Sequence, residues 1–152
     1  MTLPAPRRSA FWQRFLPAEY WLIKLVDPLV RSQWAALGLG NVVELRVAGR
    51  RSGRMRKVLI GLLRDEGRWF VGHPNGDVDW TRNLEAAGTA DLAFHGGPAI
   101  TVRAARLPDG PLRDRAILST GQHPFPGNLV YRLARAHIRA VGTFFELHRV
   151  DA

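Results

Sequence analysis

The chain has 152 residues, of which 46% are apolar, and this is enough to build one core, so we expect residues 1–152 to form a single domain. Its 22 basic and 13 acidic side chains leave a net charge of +9, which favours an anionic ligand or partner. Because the chain has no cysteine, disulfides, thiolate metal sites and cysteine nucleophiles are excluded.

Residues 1–38 are expected to form an aromatic-rich helical segment, in which Pro17 and Pro28 divide the run "AFWQRFLPAEYWLIKLVDPLVRSQWAAL" into two or three short helices. We expect these helices to cover one face of a sheet. A membrane-surface or substrate-channel role is the alternative. The sequence contains no recognisable secretion signal, so we expect a cytoplasmic protein, and membrane association through the N-terminal helices stays open.

After "GLGN" the apolar pattern becomes strand-like and predicts six strands. Hairpin turns are predicted at residues 65–67 and at "GGP". Helices are predicted over "DVDWTRNLEAAG", "GPLRDRAILST" and "GNLVYRLARAHIRA", the first of them ended by Gly88. Because strands and helices do not alternate regularly, we expect an α+β fold with an antiparallel barrel or strongly curled sheet. The strands are "VVELRVAG", "RKVLIGLLRD", "GRWFVGH", "ADLAFH", "AITVRAARL" and "GTFFELHRV".

A basic turn follows the first strand, with five cationic side chains and two glycines in "GRRSGRMRKV". Forked guanidinium donors beside a hydroxyl suit a phosphate or a row of carboxylates. The residues concerned are Arg50, Arg51, Ser52, Arg54 and Arg56. An ordinary hairpin turn with solvated arginines explains the pattern equally well. The Walker spacing is absent, so a P-loop nucleotide site is not expected.

The helix after "GHPNG" places Trp80, Asn83 and Leu84 on one face, where an aromatic plane and an amide could hold a flat heterocycle. Packing of Trp80 and Leu84 in the core is the favoured alternative. The five histidines lack the close spacing of a metal site, so no metal is expected. His73 and His123 lie in Gly/Pro-rich loops and are candidate proton donors.

The run "VVELRVAGRRSGRMRKVLIGLLRDEGRWFVGHPNGDVDWTRNLEAAGTADLAF" resembles the deazaflavin-dependent nitroreductase and F420H2-dependent quinone reductase family, over about residues 42–107. The shared elements are the Ala-Gly-Arg-Arg-Ser-Gly turn, an arginine shortly after it, a glycine-containing loop after the third strand and a Trp-x-x-Asn-Leu helix. The resemblance implies a split β-barrel, an antiparallel Greek-key barrel of about six strands like that of FMN-binding oxidoreductases, with flanking helices.

The resemblance also implies binding of coenzyme F420, an 8-hydroxy-5-deazaflavin with a phospholactyl and oligoglutamate tail. It assigns the tail to Arg50, Arg51, Ser52, Arg54 and Arg56, the deazaflavin to His73, Pro74, Asn75 and Gly76, and the ring or phosphate end to Trp80 and Asn83. The chain departs from the family pattern at "GHPNG" and "HPFPGNLVYRLARAH". We therefore take His73, His123 and Tyr131 as acceptor-side candidates.

The implied activity is hydride transfer from F420H2 to an apolar, electron-poor acceptor such as a quinone, nitroaromatic or enone. A noncatalytic binder or carrier of F420, flavin, haem or lipid on the same barrel is the alternative, and FMN is the competing cofactor. Nucleic-acid binding is not expected, because it rests on net charge alone. Whether the protein is a monomer or a homodimer stays open.

Overall fold

The computed structural model describes residues 2–25 and 40–150, with the backbone alone for residues 19–25. Helix α1 (Ala10–Leu25) runs through Pro17 for 16 residues, so the predicted break at Pro17 is wrong. A proline removes only its own N–H bond, here to the carbonyl of Gln13, and Pro17 lies on the exposed side, where water can satisfy that carbonyl. The break predicted at Pro28 lies outside the described residues.

Within residues 40–150, seven strands form one antiparallel sheet in the order β2-β1-β5-β6-β7-β4-β3. Strands β2 and β3 lie at opposite edges of this order, yet only Leu62 separates them in the chain, so the sheet must curl until its two edges meet. The predicted α+β split barrel is confirmed. The strands are β1 (Val42–Ala48), β2 (Met55–Gly61), β3 (Leu63–Asp65), β4 (Arg68–His73), β5 (Thr89–Ala93), β6 (Ala99–Arg106) and β7 (Thr143–Arg149).

The run "RKVLIGLLRD", which is predicted as one strand, forms both β2 and β3, so the described residues contain seven strands where about six are predicted. The interruption is at Leu62, whose N–H donates to the Asn41 carbonyl at 2.9 Å and whose own carbonyl accepts from Asn41 Nδ2 at 3.1 Å. With both main-chain groups held by Asn41, Leu62 leaves the strand pairing, and the chain passes from one sheet edge to the other.

After residue 40 the structure describes four more helices that flank the barrel: α2 (Asp79–Ala87), α3 (Pro111–Leu118), α4 (Gly127–Leu133) and α5 (Arg135–Val141), with a 3₁₀ turn at Ser119–Gln122. Gly88 ends α2 with φ of 72°, as the sequence predicts. The helix predicted over "GNLVYRLARAHIRA" is divided into α4 and α5 at Ala134.

The core has two layers on the two faces of the sheet, and the neighbours Phe144 and Phe145 belong to different layers. Phe145 is fully buried inside the barrel with Leu45, Leu92 and Val102. Phe144 is 1% exposed and packs in the second layer, which α3 and α5 cover from outside. Both faces of β7 are therefore buried at this point, which accounts for the two adjacent phenylalanines.

Candidate functional site

The arginine turn, residues 49–54, joins β1 to β2 and is closed by its own main chain. Gly49 N–H donates to the Arg54 carbonyl at 2.8 Å, and Gly53 N–H donates to the Gly49 carbonyl at 2.9 Å. Gly53 has φ of +70°, a conformation that favours glycine. The Ser52 hydroxyl accepts the Arg54 N–H at 3.2 Å. The basic hairpin predicted from the sequence is present, and its backbone is tightly fixed.

Arg50 anchors this turn to α2 and is engaged within the protein. Its N–H and its Nη1 both donate to Asn83 Oδ1, at 3.1 and 2.8 Å, and its Nη2 lies 3.2 Å from Asp79 Oδ1. Asn83 is only 7% exposed, so this acceptor is largely removed from water. Arg50 and Asn83 therefore position the turn.

The side chains of Arg51, Arg54 and Arg56 are exposed. No carboxylate in residues 2–25 or 40–150 forms an ion pair with any of them. A Cβ placed on Gly49 would lie 3.1 Å from Ser52 Oγ, 3.3 Å from the Arg54 carbonyl oxygen and 3.5 Å from Arg56 Nε, so the hydroxyl and the guanidinium pack closely against Gly49. An arginine guanidinium can donate two parallel N–H bonds to a phosphate or a carboxylate, so these side chains suit an anionic group.

The loop after β4, residues 73–76, is more enclosed than the turn. Pro74 is buried, and Asn75 N–H donates to His73 Nδ1 at 3.3 Å. Burial lowers the pKa of His73 to about 4, although a hydrogen bond with the Gly76 backbone and the charge of Asp77 act to raise it. His73 is therefore a neutral imidazole near neutral pH.

Asp77 fixes the end of this loop to two strands. Its carboxylate accepts from Arg106 Nη1 at 3.0 Å and from the Thr143 hydroxyl at 3.1 Å. Burial acts to raise the pKa of Asp77, but the hydrogen bonds and charge of Arg106, together with hydroxyl donors, outweigh it and hold that pKa below its usual value. Two residues later Asp79 contacts Arg50, so the start of α2 connects the loop with the arginine turn.

Trp80 is placed in the barrel core at 6% exposure, with Leu84 beside it fully buried. This arrangement agrees with the core-packing alternative for both side chains. Asn83 lies on the same helix and contacts Arg50 instead. A direct contact of Trp80 with a bound ligand stays a prediction.

His123 and Tyr131 are brought together, with their rings stacked at a centroid distance of 4.5 Å. The His123 ring lies directly on Gly61, where any Cβ would overlap it. Burial lowers the pKa of His123 to about 4. Gly61 is the last residue of β2 and Met55 the first, so this pair lies ~20 Å from the arginine turn along that strand.

Two side chains that the sequence analysis did not single out hold the site together, Arg106 and His137. His137 is 1% exposed, and its Nε2 lies 2.8 Å from Asn75 Oδ1. A signal was present in the sequence, because His137 shares a helix face with Ala134 and Ile138, and a histidine on an apolar face needs polar partners.

Within the described ranges, no group of three or more histidine and carboxylate side chains could hold a metal ion. None of the helices that the structure describes has the length and apolar character needed to cross a membrane.

The sequence matches no protein-family model and no curated protein. Among solved structures, the chain is similar to an F420-H2 dependent reductase, FDR-A, at 17% identity and a TM-score of 0.56, covering 71% of this chain and 94% of that one. It is also similar to HutZ, the haem storage protein from Vibrio cholerae, at 14% identity and a TM-score of 0.55, covering 84% and 92%. A candidate pyridoxamine 5′-phosphate oxidase from Listeria innocua matches at 10% identity and a TM-score of 0.51, covering 84% and 94%.

Identities this low establish the fold and leave the ligand open. The sequence resembles F420-dependent reductases, and the structure has the same fold as one such protein, FDR-A. The chain shares this fold with HutZ as well.

Proposed function

We propose that this protein is a reductase that binds F420H2 and delivers a hydride to an apolar, electron-poor acceptor such as a quinone, nitroaromatic or enone. One observation carries the proposal: the exposed guanidiniums of Arg51, Arg54 and Arg56 surround a turn whose backbone is already fixed. The tail of F420 bears a phosphate and several carboxylates, and each charge-assisted hydrogen bond to such a group contributes about 1.5–3 kcal/mol.

The donor chemistry of the turn fits this tail. Ser52 Oγ and Arg56 Nε lie close together beside Gly49, so a hydroxyl and a guanidinium are both available to one phosphate at the outer side of the turn. Arg51 and Arg54 are exposed beside this point and could hold the glutamyl carboxylates. Arg50 would support the turn, because Asn83 and Asp79 already occupy its guanidinium.

When bound, F420H2 supplies the hydride from its C5 position. The enclosed loop at residues 73–76 would fix the distance and angle between the deazaflavin and the acceptor, which is the main contribution a protein makes to such a transfer. His73 would act as a neutral hydrogen-bonding group, because its pKa of about 4 leaves it uncharged near neutral pH.

On the acceptor side, Tyr131 is the better candidate for proton donation. His123 has a pKa of about 4 and is neutral near neutral pH, and a phenol releases a proton more readily than a neutral imidazole N–H. The stacked His123 ring would hold the phenol in place. The exposed, stacked rings of Phe11 and Phe15 support delivery of an apolar acceptor along α1 or from a membrane surface.

The deciding experiment is a titration of the purified protein with F420 and, separately, with FMN, followed by ligand fluorescence. We expect F420 to bind more tightly, because FMN carries one phosphate and no glutamates for the turn to contact. The protein loaded with F420H2 is then mixed, in the absence of oxygen and of any other reductant, with a panel of quinones, nitroaromatics and enones. Oxidation of the deazaflavin that depends on the acceptor supports the reductase, and failure to bind F420 contradicts it.

A carrier function is the second candidate, favoured by the fold shared with HutZ at a TM-score of 0.55. It predicts a tight complex that no acceptor oxidises. A parallel titration with haem, followed by its visible absorption, separates a haem carrier from an F420 carrier.

A further inference from the structure

We propose that His137 is a positioning residue, which connects the N-terminal segment 4–9 to the loop at residues 73–76 and holds the Asn75 amide in one orientation. The hydrogen-bond geometry carries the inference without reference to any ligand. Only its expected effect on F420 affinity rests on the proposed function.

The N-terminal segment fixes the tautomer of His137. Ser9 N–H lies 3.0 Å from His137 Nδ1, and a main-chain N–H can only donate, so Nδ1 must be the acceptor. The proton of the neutral ring is then on Nε2, which lies 2.8 Å from Asn75 Oδ1 and donates to it. The carboxamide of Asn75 is thereby oriented with its oxygen towards His137 and its NH2 group directed elsewhere.

The directional chain continues into the loop. Asn75 also uses its main-chain N–H, which donates to His73 Nδ1 at 3.3 Å. By the same reasoning His73 carries its proton on Nε2. Hydrogen bonds thus connect Ser9, His137, Asn75 and His73. The tautomer of His137 orients the Asn75 side chain, and the main-chain N–H of Asn75 separately sets the tautomer of His73.

Burial of the imidazole strengthens the hydrogen bonds that His137 makes. His137 is 1% exposed, and its partners Ser9 and Asn75 are half-buried, so the imidazole itself is largely removed from water. The N-terminal segment is held beside α5 by further bonds, from Arg7 N–H to the Ala136 carbonyl and from Arg139 Nη1 to the Pro4 carbonyl, both at 2.9 Å. The position of Ser9 is therefore set by its neighbours in the segment as well as by His137.

The first test is the imidazole nitrogen spectrum of the ligand-free protein, measured by NMR through the couplings of each ring nitrogen to the ring protons. We expect His137 to be the Nε2–H tautomer alone. An Nδ1–H tautomer or a mixture of the two would overturn the proposal, whether or not the protein binds F420.

The second test compares His137→Asn with His137→Gln. The asparagine oxygen can replace Nδ1 as the acceptor for Ser9 but cannot reach Asn75, whereas the glutamine NH2 can replace the Nε2 donor. We expect His137→Asn to raise the F420 dissociation constant about tenfold and to speed amide exchange at Asn75 and Gly76, with His137→Gln close to the wild type. Equal exchange and equal affinity in all three proteins would contradict the positioning role.

A pair of variants at Ser9 guards against misfolding of the histidine variants. Ser9→Pro removes the N–H that His137 accepts, and Ser9→Ala keeps it, while both remove the hydroxyl that faces Trp12 N–H at 3.4 Å. We expect faster exchange at Asn75 in Ser9→Pro alone. Should the wild type fail to bind F420, the proposed function falls, but the tautomer and the exchange rates still decide this inference.

Discussion

The arginine turn and the loop after β4 flank the start of α2, and they differ in where their polar groups are directed. In the turn, Arg51, Arg54 and Arg56 extend into solvent, and the internal bonds are made by the backbone and by Arg50. In the loop, His73, Asn75 and Asp77 are bonded to neighbours from other elements. The turn offers charge to a ligand, while the loop offers a fixed shape.

This difference predicts that the two regions respond to substitution in different ways. Changes in the exposed arginines should alter ligand affinity and leave the free energy of unfolding nearly unchanged. Changes in the loop and its supports should alter both.

The largest effect is expected from the double variant Arg51→Ala/Arg56→Ala. Loss of two charge-assisted contacts should weaken F420 binding by about 3–6 kcal/mol, a factor of a hundred or more, with the unfolding free energy within about 0.5 kcal/mol of wild type. Ligand fluorescence and urea unfolding measure the two quantities.

The matched control is Arg64→Ala, an exposed arginine of β3 beyond the opposite end of β2. It removes one positive charge, against two in the double variant, and should change affinity little. If the control weakens binding by half as many kcal/mol as the double variant does, the effect comes from net charge and the turn is not the binding site.

The next largest effect is expected on the free energy of unfolding at acid pH, and it comes from two buried histidines. His73 and His123 each have a pKa lowered from 6.5 to about 4, so between these values the unfolded chain binds more protons than the folded one. Stability from this source is present above pH 6.5 and is lost as pH falls towards about 4. Each of the two histidines contributes at most about 3 kcal/mol to the free energy of unfolding in this way.

Urea unfolding at several pH values in this range measures how steeply the free energy of unfolding falls with pH. His73→Gln should make this slope smaller. Asp77 has a pKa below its usual 3.8, so its contribution is lost only at lower pH and can be separated. The arginines do not titrate here, so a slope that is the same in His73→Gln and wild type would contradict the contrast between loop and turn.

A smaller effect is expected at the anchor between the two regions. Asn83→Ala removes the oxygen that accepts both Arg50 donors and should lower the unfolding free energy by about 2 kcal/mol. Asn83→Asp keeps an acceptor oxygen at the same place and should restore most of this stability. F420 affinity is expected to follow the same order, and an unstable Asn83→Asp would show that the amide NH2 matters more than the oxygen.

The sequence identifies the turn better than the loop for a physical reason. Clustered arginines and glycines within ten residues are a local pattern, and strand alternation predicts the hairpin that carries them. The contacts of His137 are not local: its partners Ser9 and Asn75 lie 128 and 62 residues away in the chain. Their meeting depends on how the barrel and α5 pack, which no local pattern encodes.

The same reasoning explains the errors in the predicted elements. The break at Leu62 depends on Asn41, which reaches it only because the sheet curls. On local propensity Pro17 is predicted to end a helix, but Leu16 of α1 is buried at 5% exposure and Trp12 packs against the second core layer, and these tertiary contacts offset the hydrogen bond lost at Pro17. In both cases tertiary structure outweighs the local preference.

The two hydrogen bonds from Arg50 to one oxygen of Asn83 also have a kinetic consequence. Because the backbone of the turn is held before a ligand arrives, only flexible arginine side chains remain to be ordered on binding. Binding of the proposed anionic ligand should then need no slow rearrangement of the chain, and we expect its association rate to be set by diffusion in the field of the protein and to fall as salt screens that field.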